Sequence, residues 1–174
     1  MSDVTCGVFA EDFLIGYANV AWFEFGRANG ARRLWGLDDR LLDAISEPLR
    51  SYYAEKLAQV LVDGQPWEHD YECSSVALHR EFRLRVLMIA DGEGLLLTHT
   101  LRFERPHVDG LPLVTNRYQA ATGLITQCAH CRRVRRVAAP HSWDWVPALV
   151  EKPSSNISHG LCGLCSAYYF GPNA

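Results

Sequence analysis

The segment Glu81-Phe82-Arg83-Leu84-Arg85-Val86-Leu87-Met88 decides the fold class. Phe82, Leu84, Val86 and Met88 take every second position, with Glu81, Arg83, Arg85 and Leu87 between them. A period of two sends alternate side chains to opposite faces, the pattern of an antiparallel sheet with one side against a core. The whole strand is expected over 82–90, with neighbours over 67–74 and 95–103. Asp91-Gly92-Glu93-Gly94 supplies a tight hairpin connection to the last of these.

Working back from that sheet, Phe13-Leu14-Ile15-Gly16-Tyr17-Ala18 is a β-rich apolar run. Val20-Ala21-Trp22-Phe23-Glu24-Phe25 follows, and a run this short fits a strand or a short helix equally. Asn29-Gly30 marks a turn. Between Leu34 and Ser46, apolar clusters broken by Asp38, Asp39 and Asp43 predict short helical turns. Ser46-Glu47-Pro48 offers a capping hydroxyl and a proline tolerated in the first turn. Tyr53, Leu57, Val60 and Leu61 then recur at helical spacing until Asp63-Gly64 stops the pattern. The spacing predicts an amphipathic helix over 48–62.

At 174 residues, 48% hydrophobic and 21% charged, the chain can bury a core of ordinary globular kind. A formal charge of −3 gives no global attraction to nucleic acid or anionic membrane. The first ten residues lack a basic start and an apolar run, so no secretory signal is expected, and no stretch has the length of a membrane span. With four of six cysteines at metal spacing, the expectation is a reducing cytoplasm and not a disulfide scaffold.

Those four are Cys128, Cys131, Cys162 and Cys165, in two Cys-x-x-Cys pairs. Each pair brings two sulfurs close enough to share one ion, and two pairs complete a closed tetrahedral thiolate site. Zn2+, one per chain, suits four thiolates with no open position. Iron or an iron–sulfur cluster is the other occupant that thiolates permit. His130 and His159 stand close enough in sequence to support the thiolates from outside the ligand set. Arg132, Arg133, Arg135 and Arg136 form a basic cluster beside the first pair, which a nucleic acid or an acidic protein partner could use.

Strands, then short helices, then a three-stranded antiparallel end is the order of a PAS domain. Tyr17-Ala18-Asn19-Val20-Ala21-Trp22-Phe23-Glu24-Phe25 with Ala28-Asn29-Gly30 resembles the opening of bacterial PAS sensor modules. The stretch from Gly64-Gln65-Pro66-Trp67 through Ser75 resembles their approach to the final sheet, and Arg80 to Val86 and Leu96 to Thr100 resemble its last strands. The tail, with Cys128-Ala129-His130-Cys131, Trp143 and Ser158-His159-Gly160-Leu161-Cys162-Gly163-Leu164-Cys165, is similar to a cysteine-rich module found beside PAS and response-regulator domains. The resemblance implies an α+β chain: a PAS-like antiparallel sheet with flanking helices over 8–106, a linker over 107–120 and a four-cysteine module over 121–174.

It also implies a bacterial signalling protein that senses or docks through protein contacts. Trp22, Phe25, Trp35, Tyr53 and Trp67 are candidate pocket residues for a small-molecule ligand of unknown identity, although aromatics at such spacing more often form plain core. His69, His79, His99 and His107 are haem ligands by residue type alone. A signalling partner is expected, a homodimer is compatible, and no membrane contact is expected. No phosphate-binding glycine loop, no Ser-His-Asp spacing and no open metal site with a carboxylate base is visible, so the chain is expected not to be an enzyme. A thiol-redox or metal sensor built on the four cysteines, and a nucleic-acid-binding regulator, are the two rival readings.

Overall fold

The computed structural model describes residues 3–29, 31, 33–89, 92–108 and 110–172. Gly30 of the expected turn, Ala90 of the expected strand and Asp91 of the expected hairpin lie outside them. The described chain divides into two compact units. The first comprises the residues up to Ser46 with Arg50–Tyr71 and Glu81–Phe103, the second Glu47–Leu49, Glu72–Arg80 and the residues from Glu104 onward.

The first unit is α+β and PAS-like. Its strands β1 (Val4–Phe9), β2 (Ile15–Ala18), β3 (Trp67–Glu72), β4 (Leu78–Ile89) and β5 (Gly94–Pro106) belong to one sheet in the order β2-β1-β5-β4-β3. Helices α1 (Val20–Ala28) and α2 (Leu49–Asp63) and a 3-10 turn (Leu41–Ala44) fill the chain between β2 and β3. β1 pairs antiparallel with both β2 and β5, with Cys6 opposite Ala18 on one side and Leu97 on the other. Its Val4, Cys6 and Val8 are buried at alternate positions, so the sheet already begins at Val4, ahead of the expected residue 8.

The ambiguous run after β2 is a helix. Asn19 decides it: its Oδ1 accepts the Trp22 N–H at 2.9 Å and that of Thr5 at 3.2 Å. The cap satisfies a first-turn donor and ties the helix start to β1. Helix α2 begins at Leu49, one residue after Pro48, and ends at Asp63. Gly64 closes it with φ at +69°, where a side chain would be strained, and its N–H reaches the Val60 carbonyl at 2.9 Å.

In β4 the expected alternation holds for Phe82, Leu84 and Val86, all buried, and fails at Met88, which is exposed near the strand end. Together with Cys6, Val8, Ile15, Leu41, Leu57, Val60, Leu95 and Leu97, Leu84 and Val86 make the core. Each such side chain stabilises by about 1.5–3 kcal/mol relative to exposure.

The second unit has a core of half that membership: Tyr118, Ile125, Val134, Val146 and Leu149. Its sheet runs β8-β7-β6-β9, formed by β6 (Ile125–Cys128), β7 (Val134–Arg135), β8 (Trp143–Asp144) and β9 (Ile157–Gly160). Short helices α3 (Thr115–Tyr118) and α4 (Pro147–Glu151) and the terminal α5 (Gly163–Phe170) accompany it. The stretch 107–120, expected as a linker, belongs to this unit. Tyr118 is 1% exposed and donates its hydroxyl to Asp144 at 2.8 Å, and the Leu111 N–H reaches the Trp145 carbonyl at 2.9 Å. Residues 72–80 also cluster here, because Ala77 accepts the His107 N–H and Ser74 accepts from the Arg132 guanidinium.

Candidate metal centre

Two pieces of backbone chemistry bring the four cysteines together. β6 and β9 are parallel, with Gln127 opposite His159 and Cys128 opposite Gly160. The strands therefore leave the sheet at the same end, one into each Cys-x-x-Cys turn. In the first turn the Cys128 N–H reaches the Arg133 carbonyl at 2.8 Å and the Arg132 N–H reaches the Cys128 carbonyl at 3.0 Å. Arg132 closes that turn in the left-handed region, φ +60°. In the second turn Cys162 precedes α5, Cys165 lies in its first turn, and the Ser166 N–H donates to the Cys162 carbonyl at 2.8 Å.

The result is four buried sulfurs, all within 4.8 Å of one another, and no disulfide among them. Cys131 and Cys162 Sγ are 3.9 Å apart. A zinc–sulfur bond of about 2.3 Å places sulfurs at the corners of a tetrahedron about 3.8 Å apart. The set thus fits a four-thiolate ion and is far too open for a sulfur–sulfur bond. Cys131 itself is pushed above its ordinary pKa by Cys128 and Cys162, while hydrogen bonds from Cys128 and Cys131 hold Cys162 well below it. Four thiols in one buried site cannot ionise independently, and a cation bound there would resolve the competition.

The surroundings are specific. Trp143 and Leu161 pack against the cysteines. Burial works most strongly against the Arg133 charge, but the Cys131 and Cys162 sulfurs and the Glu72 carboxylate together outweigh it and hold the guanidinium above its ordinary pKa. His130 Nδ1 lies 2.7 Å from the Tyr169 hydroxyl, which positions the first turn against α5. His159 sits exposed on β9, opposite Gln127.

The four arginines of the basic cluster have protein partners. Arg132 donates to the Ser74 carbonyl at 3.3 Å, Arg133 lies in the field of the Cys131 sulfur and the Glu72 carboxylate, and Arg135 reaches the Thr126 hydroxyl at 3.3 Å. Arg136 makes a fork to Asp144 at 2.7 and 2.8 Å. That fork holds the Asp144 carboxyl below its usual range.

The aromatic pocket candidates are packing residues of the first unit. Trp22, Trp35, Tyr53 and Trp67 lean on its core, and Trp22 Nε1 donates to the Trp35 carbonyl at 2.7 Å. Phe25 meets Phe82 edge-on at 5.4 Å. The haem candidates are dispersed. His69 stacks on Trp67 and His99 pairs with the Tyr71 hydroxyl at 2.8 Å, both in the first unit. His79 and His107 lie in the second. Sequence reasoning passed over Asp144, whose only signal was its place between two cysteine pairs.

No protein-family model matches the chain, and no curated protein matches it. Among solved structures it is similar to a sensory box sensor histidine kinase from Vibrio cholerae, with 15% identity and TM-score 0.40 over 59% of this chain and 82% of that one. It is also similar to the sensor region of a sensor histidine kinase, with 20% identity and TM-score 0.37 over 57% of this chain and 38% of the other. At these scores the PAS-like assignment rests on the strand order and helix placement of the first unit. Among the described residues, no helix is long and apolar enough to cross a membrane.

Proposed function

We propose that the chain is a non-catalytic bacterial signalling protein of the cytoplasm, in which a PAS-like unit perceives a signal or docks a partner and one structural zinc holds the second unit together. The observation that carries the metal half is the closed set of four buried sulfurs at tetrahedral spacing. A full thiolate shell offers no position for substrate or an activated water, which favours a structural role over catalysis. The small core of the second unit supports the same reading, since so few buried side chains rarely hold a fold unaided.

The absorbance spectrum and metal content of the purified protein test this reading. A colourless protein with one zinc per chain is expected. A charge-transfer or Soret band, from an iron–sulfur cluster or haem, overturns it.

One observation favours a second reading. The Cys162 backbone N–H donates to Cys128 Sγ at 3.5 Å, and such a donor favours thiolate, the reactive form in a redox sensor. Zinc release that follows thiol loss and reverses with reductant would establish that reading. Nucleic-acid binding has less support, because the guanidinium groups it needs already bond within the second unit; a salt-dependent mobility shift with DNA or RNA is its test.

A further inference from the structure

One end of the first unit's sheet carries an open groove of about 430 Å³, between the turn that joins β1 to β2 and the start of β5. Phe9 and Leu14 give it apolar walls, and Phe9 is 56% exposed. Backbone bonds fix the two sides: the Phe9 N–H donates to the Leu14 carbonyl and the Ala10 N–H to the Glu93 carbonyl, each at 3.0 Å. Gly94 stands opposite Phe9 in the sheet, and a side chain there would begin 2.5 Å from the Val8 carbonyl oxygen. Only glycine fits. The floor therefore stays open between Phe9 and the exposed Ile89, whose Cγ1 lies 3.6 Å from that point.

The charge around this apolar groove is of one sign. Glu11, Asp12 and Glu93 line it, and no lysine or arginine occurs in 9–16 or 87–96. Asp12 Oδ1 accepts the Leu14 N–H at 3.1 Å, which holds that carboxylate in place. None of the three carboxylates is ion-paired among the described residues. Such a rim attracts cations and repels acidic partners. The exposed Phe9 ring adds a flat face on which a guanidinium stacks. An ammonium answers the charge alone; a guanidinium answers both the charge and the ring.

We propose that this groove docks an arginine-bearing apolar segment of a partner protein. The guanidinium meets the carboxylates and the Phe9 ring, and a neighbouring apolar side chain covers Leu14 and Ile89. The inference rests on the docking half of the signalling reading and gives it a surface and a partner chemistry.

The test is a calorimetric titration of the full-length, metal-loaded protein with the peptide acetyl-Leu-Arg-Leu-Arg-Leu-amide, its footprint mapped by amide chemical shifts. Peptides with citrulline for arginine or serine for leucine serve as the neutral and the polar arm. Saturable binding at low salt is expected, with shifts centred on 9–14 and 93–96 and each control peptide weaker by roughly tenfold. The double variant Glu11→Gln with Glu93→Gln should weaken binding by a similar factor. Both positions are exposed, so this variant decides the matter even where Phe9→Ser disturbs the sheet. No saturation at millimolar peptide, equal affinity for the citrulline peptide, or undiminished binding in the double variant overturns the proposal. A dimer in sedimentation that Phe9→Ser dissolves assigns the groove to a second copy and overturns it too. A footprint elsewhere on the first unit overturns this surface while leaving docking by that unit standing.

Discussion

The Cys162 backbone N–H donates to Cys128 Sγ across 3.5 Å, tying the second Cys-x-x-Cys turn to the first sulfur of the other. This bond favours a thiolate at Cys128 and holds the two turns in mutual register whatever the ion. Replacing Cys162 by Ser keeps the backbone donor and removes one ligand. We expect zinc to fall well below one equivalent per chain and the near-ultraviolet dichroism of Trp143 and Trp145 to collapse. The first unit contains none of the four ligands and should keep its far-ultraviolet signal. Structural zinc contributes about 10 kcal/mol or more of apparent binding free energy, so a variant that retains full metal and a fixed tail would exclude the assigned ligand set.

Tyr118 tests whether residues 107–120 are core. Tyr118→Phe removes one hydrogen bond but leaves Asp144 with Arg136, and should cost about 1 kcal/mol. Tyr118→Ala opens a cavity in a core of five residues and should cost about 3–5 kcal/mol. Chemical denaturation monitored at Trp143 and Trp145 measures both. Equal, negligible effects would return this stretch to the status of a linker.

His99 predicts an acid limit for the first unit. Burial holds its pKa at about 4, against about 6.5 in an unfolded chain. Between those values the unfolded chain binds the proton and the folded one does not. Stability is therefore full above about pH 6.5 and declines as pH falls toward 4, by up to about 3 kcal/mol. His99→Gln should flatten that part of the stability profile while sparing the rest. An unchanged slope in the variant would assign the acid sensitivity to other groups.

Oxidation should be ordered. Cys6 is fully enclosed and burial pushes its thiol up to about 12, so it is inert. Cys73 is half-buried; burial raises its thiol too, and the Arg80 and Arg132 charges oppose that rise, which leaves it the more reactive of the two thiols outside the four-cysteine site. Mild peroxide at neutral pH should modify Cys73 slowly, ahead of Cys6 and while zinc stays bound, as mass spectrometry and a zinc-responsive dye would show. Zinc appearing before Cys73 reacts would favour the redox-sensor reading instead.

Much of the first unit was legible because its signals are local. The alternation from Phe82 to Val86 and the helical spacing of Tyr53, Leu57 and Val60 report their own environment within a few residues. The run from Val20 to Phe25 was undecided by hydrophobicity, since its resolution lies one residue upstream in the Asn19 cap. β1 was missed although Val4, Cys6 and Val8 alternate; Gly7 and Thr5 between them dilute a pattern only six residues long. In the tail the cysteines announced a shared ion through spacing alone. The pairing of β6 with β9 did not, because two four-residue strands 28 residues apart carry no period that links them. The burial of Tyr118 was hidden for the same reason: its partner Asp144 is 26 residues away.

The parallel register of β6 and β9 makes residue count a property of the site. Cys128 stands opposite Gly160, and Cys162 follows two residues later. Adding one residue inside either strand would advance one sulfur pair by about 3.3 Å along the sheet, nearly a full edge of the tetrahedron, and the four corners would no longer close. The turns around 137–141 and 152–155 carry no such demand, and closing a somewhat longer loop is entropically cheap. Insertions compatible with metal binding are therefore expected only in segments that never pass through a strand leading to a sulfur. A single-residue insertion between Ile157 and Cys162 should abolish metal uptake with every ligand still present.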